Sequence, residues 1–300
     1  MNTRSTRHER FRRSLLMSLL SPMVFAGACA LPRVDTIHWT VPAHWVDGCG
    51  FEPREGNFNF SDLAFSSPND GWIVGHPLLL HLEDEDMEMT FHTKRVSFHT
   101  IAVPLPGDVW AGGTRFREDP NSKGVLWQGV LWHYTEGKWQ PVDLSDLVQA
   151  AMPEARSWTV FRVRAASPTD VWAILSGYGP SNKYGPSPKE IASGIFHFDG
   201  IRWQPTPIGN GSDRAKKIGE MCFHANGDGW AVGSVPGKTR EEPSPLLIQR
   251  HGGVWREVGL EKPLLGNGGL NSVECLPDGR AVASGGAFPG PTAVVLRYDG

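Results

Sequence analysis

Three histidines, His81, His133 and His197, stand at corresponding places along the chain, and Gln249 and Arg297 occupy the two remaining places of the same set. A metal ion needs its ligands within a few ångströms of one point. Side chains distributed one per repeat do not converge in that way, so their expected role is cross-strand hydrogen bonding, and neither a metal nor another cofactor is predicted. His92 and His99, seven residues apart, match no ligand spacing. The carboxylates Glu118, Asp119, Glu190, Glu241 and Glu242 fall in segments expected to be loops. Glycoside hydrolysis uses two carboxyl groups flanking the scissile bond, but such a pair is defined in space, and solvated surface charge is the simpler expectation for all five. No Gly-x-Ser-x-Gly and no Gly-x-x-x-x-Gly-Lys occurs, which excludes a nucleophile elbow and a phosphate-cradling loop of those types. No catalytic residue is assigned. The residues best suited to binding are Tyr178 and Tyr184, set among Gly, Pro and Ser with Lys183 between them, and Arg115, Phe116 and Arg117 from the preceding repeat. Tyr offers a large contact at low entropic cost, a property that suits a peptide or a sugar.

These residues sit on a repeated element: a short apolar strand, a turn containing Asp, usually a Trp, and a second apolar strand. It begins at Leu63 with Asp70 and Trp72, and returns with Asp108 and Trp110, Asp170 and Trp172, and Asp228 and Trp230. A fifth copy around Asp278 lacks the Trp. The turn Asp residues are separated by 38, 62, 58 and 50 positions. Each copy has a second half, as in Trp132-His133-Tyr134-Thr135-Glu136-Gly137-Lys138-Trp139, in which alternating residues surround a Gly-containing tight turn. That pattern reads as a hairpin. Each repeat is therefore four short antiparallel strands, and sheets of that kind bury their faces by packing radially. The expected fold is all-β: a five-bladed β-propeller over residues 35–300. Residues 35–42 resemble Asp199 to Thr206 and are expected to supply the fourth strand of the last blade, closing the ring; further blades beyond residue 300 are the alternative.

Eight of the twelve Trp fall at repeat positions. A large ring at one place in every blade fills the gap between sheets, so these Trp are expected in the core rather than as sugar platforms. Inserted length is expected on one face of the ring, in segments 114–123, 177–192 and 234–245, and in 144–155, where Ser145 is the expected cap of a short helix. Functional loops gather where a rigid scaffold presents them.

The motif Ser-Pro-x-Asp-x-Trp-x-Val-Gly, followed by His-x-Asp-Gly-x-x-Trp, resembles the degenerate BNR or Asp-box-like repeats of bacterial exported propellers of the photosystem II assembly-factor type. The resemblance covers residues 35–300. It implies a propeller used as a non-catalytic scaffold or binding module for a protein or glycan of the cell envelope. Glycan hydrolases and lyases on the same fold are the alternative. The Arg-Ile-Pro-type motif of sialidases is absent.

Arg4, Arg7, Arg10, Arg12 and Arg13 precede an apolar run from Leu15 to Ala28. A run of that length ending in small residues reads as a secretory signal peptide, residues 1–28. Arg12-Arg13 resembles a twin-arginine motif, and Phe25-Ala26-Gly27-Ala28-Cys29 resembles a lipobox. The expectation is a lipoprotein anchored through Cys29, with residues 29–34 as a tether, exported to the periplasm or the outer cell surface. Removing the leader takes five Arg and one Glu, leaving 24 basic and 31 acidic side chains and a charge of -7 against -3 for the whole chain. No basic excess exists to attract nucleic acid, and membrane contact is expected only through the anchor. Of the remaining cysteines, Cys49, Cys222 and Cys275, the last two lie before the turns of adjacent repeats; burial as free thiols is favoured over pairing.

Overall fold

The strands group into five antiparallel sheets in chain order, four built on the expected hairpin-on-hairpin plan. The computed structural model describes residues 59–84, 86–92, 95–119, 125–179, 190–209, 216–237, 243–260, 267–288 and 292–300. The leader, Cys29, the tether and the closing segment 35–42 lie outside the described residues. The first sheet holds β1 (Asn59–Ser67), β2 (Asp70–His76), β3 (Leu78–Glu83) and β4 (Asp86–His92). The second holds β5 (Val96–Leu105), β6 (Asp108–Glu118), β7 (Val125–Thr135) and β8 (Lys138–Val142), followed by helix α1 (Ser145–Ala151). The third holds β9 (Ser157–Ser167), β10 (Asp170–Tyr178), β11 (Glu190–Phe198) and β12 (Trp203–Thr206). The fourth has five strands: β14 (Lys217–Phe223), β15 (Gly229–Val235), β16 (Ser244–His251), β17 (Val254–Glu257) and, parallel to β17, the two-residue β13 (Ile208–Gly209). The fifth has three, β18 (Asn267–Cys275), β19 (Ala281–Phe288) and β20 (Thr292–Tyr298), so β20 is an edge strand among the described residues.

Four apolar clusters occupy the four junctions between consecutive sheets. Their largest members are the repeat tryptophans: Trp72, Trp110, Trp172 and Trp255 are at most 2% exposed. Trp72, Trp110 and Trp172 each meet a Trp of the next sheet, Trp139, Trp203 and Trp255, edge-on at 5.6, 5.5 and 5.7 Å. Six of the eight periodic Trp are buried, as their periodicity predicts; Trp139 is half-buried and Trp39 lies outside the described residues.

The repeated histidines have the expected cross-strand role. Strand register places His81, His133 and His197 directly opposite Trp72, Trp110 and Trp172, with Gln249 opposite Trp230 and Arg297 opposite Val282. Each imidazole stacks on its Trp at 3.9–4.2 Å between centroids. Its Nε2 donates to the turn carboxylate of Asp70, Asp108 or Asp170 at 2.6, 2.8 and 2.8 Å. In the fourth sheet Asp228 instead accepts from Nδ1 of His251, the last residue of β16, at 2.9 Å. Asp, His and Trp thus form one structural unit that fixes the first turn to the third strand.

The fifth repeat is offset from the expected alignment. Its turn hydrogen bonds, Leu276 N–H to Arg280 C=O and Gly279 N–H to Leu276 C=O, match those of His224 with Asp228 and Gly227 with His224. Arg280 therefore takes the place of the turn Asp and Val282 that of the Trp, while Asp278 bonds the Arg280 side chain at 2.7 Å.

Every innermost strand has a one-residue skip of register at an equivalent place, Ser61, His99, Phe161, Gly219 and Asn271, and β1, β5 and β9 have a further shift near the turn. Such a bulge bends the strand and brings its main chain close to the partner. The motif glycine three residues after the Trp position answers this approach. A Cβ on Gly75, Gly113, Gly233 or Gly285 would overlap the carbonyl oxygen of Asn59, Ser97, Lys217 or Gly269.

Several finer expectations are corrected. Ser145 is the first residue of α1 rather than its cap; its N–H is held by Asp143 Oδ1 at 2.9 Å. Cys222 and Cys275 are joined in a disulfide, with Cα atoms 5.5 Å apart, that links β14 to β18. They are close because equivalent ends of adjacent innermost strands face one another, a proximity that sequence separation does not reveal.

Candidate functional site

Two places bring polar or aromatic side chains together. The first is where the innermost strands converge. Arg164 on β9 donates to Glu220 Oε2 on β14 at 2.9 Å and lies 3.6 Å from Asp62 Oδ2 on β1. Arg162 Nε also reaches Glu220 Oε2, at 3.1 Å. Asp62 Oδ2 accepts the Ile101 N–H of β5 at 3.1 Å as well. One ionic cluster therefore ties four sheets together, including the first to the third, which are not neighbours in sequence. Beside it His99 donates or accepts with Thr114 Oγ1 at 3.0 Å; burial, aided by the Arg162 charge, holds its pKa below the usual histidine value. A cavity of about 440 Å³ adjoins the cluster, lined by Arg164, Glu220, His224, Ser272, Glu274 and the disulfide. Asp62 and Glu220 share Arg164, an arrangement that joins the sheets.

The second place lies at the end of the sheets opposite the tight turns. The segment 114–118, expected as loop, continues β6, which pairs with β7 as far as Glu118 opposite Val125. Val125-Leu126-Trp127-Gln128 extends the hairpin on the other strand. Tyr178 is likewise the last residue of β10, paired with both Ser157 and Glu190. Phe116 faces Trp127 across the hairpin, rings edge-on at 6.4 Å, and Trp127 meets Tyr178 of the next sheet at 5.3 Å. The Trp127 main-chain N–H donates to Ser157 Oγ at 3.1 Å across the junction, and within the third sheet the Tyr178 carbonyl accepts the Arg156 N–H at 2.9 Å. Burial, reinforced by the nearby Glu190 carboxylate, raises the Tyr178 phenol above its ordinary pKa. Phe116 is 40% exposed, which leaves one end of the row open to solvent.

The structure thus joins Phe116 and Tyr178 of the expected set through Trp127, which the sequence reading passed over because it lies outside the Trp repeat. Its signal was the hairpin register, which sets Trp127 opposite Phe116. Alternation along β6 turns Arg115 and Arg117 to the other face of the sheet, where Arg117 Nη1 donates to Gln128 Oε1 at 2.9 Å. They do not flank the aromatics as expected. Lys183 and Tyr184 lie outside the described residues, as do Glu241 and Glu242. Glu190 accepts from Ser193 Oγ at 2.8 Å and pairs with Lys217 at 3.3 Å.

No protein-family model and no curated protein matches this chain. Among solved structures it is similar to YCF48 bound to a D1 peptide, at 13% identity over 80% of this chain and 92% of that one, with a TM-score of 0.29. It is also similar to the calcium-binding protein regucalcin of Agrobacterium tumefaciens, at 12% identity over 77% and 69% of the two chains, TM-score 0.39. A third is the Bombyx mori GH32 beta-fructofuranosidase, at 10% identity over 79% of this chain and 59% of that one, TM-score 0.39.

Proposed function

We propose that this chain is an exported five-bladed β-propeller, anchored by lipid at Cys29, that works as a non-catalytic binding module for a protein or glycan of the cell envelope. The observation that supports this reading is the aromatic row Phe116, Trp127 and Tyr178, which crosses the junction of the second and third sheets at the end carrying the long connections. Aromatic faces receive peptide side chains or sugar rings with little entropic cost, and a row pinned by backbone hydrogen bonds is already ordered. Lys183 and Tyr184, in the connection that follows Tyr178, would extend the same surface. The hydrolase alternative lacks a comparable support, because the carboxylates at the convergence of the innermost strands are committed to Arg162 and Arg164.

The test is capture. The mature chain, immobilised, is exposed to solubilised native envelope, and retained protein and glycan are identified. Trp127→Ala and Tyr178→Ala are expected to lose at least tenfold in retained ligand while folding normally. Undiminished capture by both variants refutes the assignment of the row. Cys29→Ser is expected to release the chain from membrane fractions, and continued retention there refutes the anchor.

A further inference from the structure

The junction between the fourth and fifth sheets is built differently from the other three. Each of those joins two Trp rings edge-on, at 74–87° between planes. The fourth sets Trp230 against Tyr298, at 4.7 Å, and the other buried members of its cluster are Cys222, Val232, Leu270, Val273, Ala281 and Ala283. An alanine withdraws far less apolar area from water than an indole does, so this junction coheres less by burial. Trp230 is 5% exposed, against 1–2% for Trp72, Trp110 and Trp172. The polar ties differ too. Ion pairs of Arg162 and Arg164 with Glu220, and of Lys217 with Glu190, cross between the third and fourth sheets. Between the fourth and fifth, His224 Nδ1 donates to the Leu276 carbonyl at 3.2 Å and the Gly268 N–H to the Pro243 carbonyl at 2.6 Å. The Cys222–Cys275 disulfide adds a covalent tie from β14 to β18. It lines the cavity of about 440 Å³ together with Ser272 and Glu274, both exposed, so solvent reaches the cavity beside the sulfur atoms.

We propose that this disulfide is a redox switch: a small dithiol reaches it through the cavity while the sheets remain packed, and its reduction releases the fifth sheet from the fourth. Exchange requires a thiolate to approach one of the two sulfur atoms, so a disulfide on a solvent-filled cavity is the kind open to it. Cys275 is partly exposed and Cys222 is buried, which directs attack to Sγ of Cys275. One thiolate of the dithiol bonds to that sulfur. The Cys222–Cys275 bond breaks, and its electron pair leaves on Sγ of Cys222, which takes a proton from water. The second thiolate of the same molecule then attacks its own sulfur in the mixed disulfide, closes a ring and releases Sγ of Cys275, which is protonated in turn. Two electrons pass from the dithiol to the protein, and two protons accompany them. Across the junction there remain a cluster with one Trp and the two hydrogen bonds, and a segment held by few buried apolar contacts is the first to open. The row Phe116, Trp127 and Tyr178 lies at the junction of the second and third sheets, so the switch acts away from it and does not rest on ligand capture.

The experiment uses the full chain with Cys29→Ser and Cys49→Ser, so that Cys222 and Cys275 are its only cysteines. It is treated with dithiothreitol in the absence of denaturant, and the thiols are trapped with iodoacetamide and located by mass spectrometry. Both positions are expected to be alkylated at a rate that low concentrations of urea leave nearly unchanged. A rate that climbs with urea as steeply as global unfolding does shows that the bond is reached only in the unfolded chain, and overturns the proposal. Hydrogen exchange then compares the oxidised and reduced forms. Amides of β18, β19 and β20 are expected to accelerate at least about tenfold more than those of β5 to β12. Equal acceleration in the two sets shows a loss of global stability alone, and that result, or no acceleration in either set, also overturns it. Replacing the dithiol by oxidised glutathione is expected to restore the slow pattern, and failure to restore it refutes a reversible switch. In Cys222→Ala, Cys275→Ala the exchange of β18–β20 is expected to be the same with and without dithiothreitol; a response there means that the reagent acts elsewhere and the assignment fails. Capture by the Trp127 row is read separately, so either conclusion can fail alone.

Discussion

Trp255→Ala tests how the sheets cohere. Trp255 has no exposed surface and lies in the cluster between the third and fourth sheets, with its ring 5.7 Å from Trp172 and 5.9 Å from Phe223. Removing so large a buried ring from a junction that collapses only in part costs about 3–5 kcal/mol. For a domain of this size that is a fall in Tm of roughly 6–20 °C. Trp139 occupies the equivalent place in the second sheet but is half-buried, its indole N–H reaching Thr90 Oγ1 at 3.3 Å. Less of its area is withdrawn from water, and Trp139→Ala is expected to cost about 2 kcal/mol. Coupling between Trp172→Ala and Trp255→Ala in a double-mutant cycle is expected at about 0.5–1.5 kcal/mol, the value of an edge-on aromatic pair. Urea unfolding followed by circular dichroism reads all of these. Ile201, 88% exposed, supplies the control. If Trp255→Ala destabilises no more than Ile201→Ala, the sheets are not held together by their tryptophans and the reading of the repeat is wrong.

Reduction of the Cys222–Cys275 disulfide frees a loop of 53 residues and is expected to lower stability by about 4 kcal/mol on loop entropy alone, seen as a lower urea midpoint under reducing conditions. For Asp70, burial alone would raise the pKa, but the Ser66 hydroxyl and His81 outweigh it and the carboxyl sits below its ordinary value. The folded state therefore binds its proton less readily than the unfolded one. The resulting stabilisation is complete above the ordinary carboxylate pKa and is lost as pH falls through the lower, folded-state value; Asp70→Asn is expected to flatten this acid limb of the stability curve. Arg164→Ala strips Glu220 and Asp62 of a shared partner and is expected to cost about 1–3 kcal/mol, with the loss diminished in the triple variant Arg164→Ala, Glu220→Gln, Asp62→Asn.

The strand plan, the tight turns and the burial of the periodic tryptophans were legible from the chain because each depends on neighbours close in sequence. Alternation of period two marks a half-buried strand wherever it occurs. Glu136 and Gly137, both at positive φ, make the two-residue turn that Glu-Gly between opposed strands predicts. The cross-strand role of His133 was visible in outline because His81 and His197 stand at the same place, whereas its partner Asp108 was not. The fifth repeat misled for the same reason. Its Asp-Gly lies two residues from the place of the turn Asp, and only the turn hydrogen bonds around Leu276 and Arg280 fix that register.

The binding row was only half legible. Phe116 and Tyr178 stand in segments whose composition reads as loop, yet both are strand residues, and Trp127 joins them only because two hairpins from different sheets end side by side. The disulfide, the five bulges and the cluster of Asp62, Arg162, Arg164 and Glu220 were not legible at all. By itself the sequence determined what alternates and what repeats, which is enough to specify strands, turns and the side each residue faces. Which strand ends come together across different sheets was decided by tertiary packing, since contacts between residues tens of positions apart arise from the bend and angle of whole sheets rather than from any local preference.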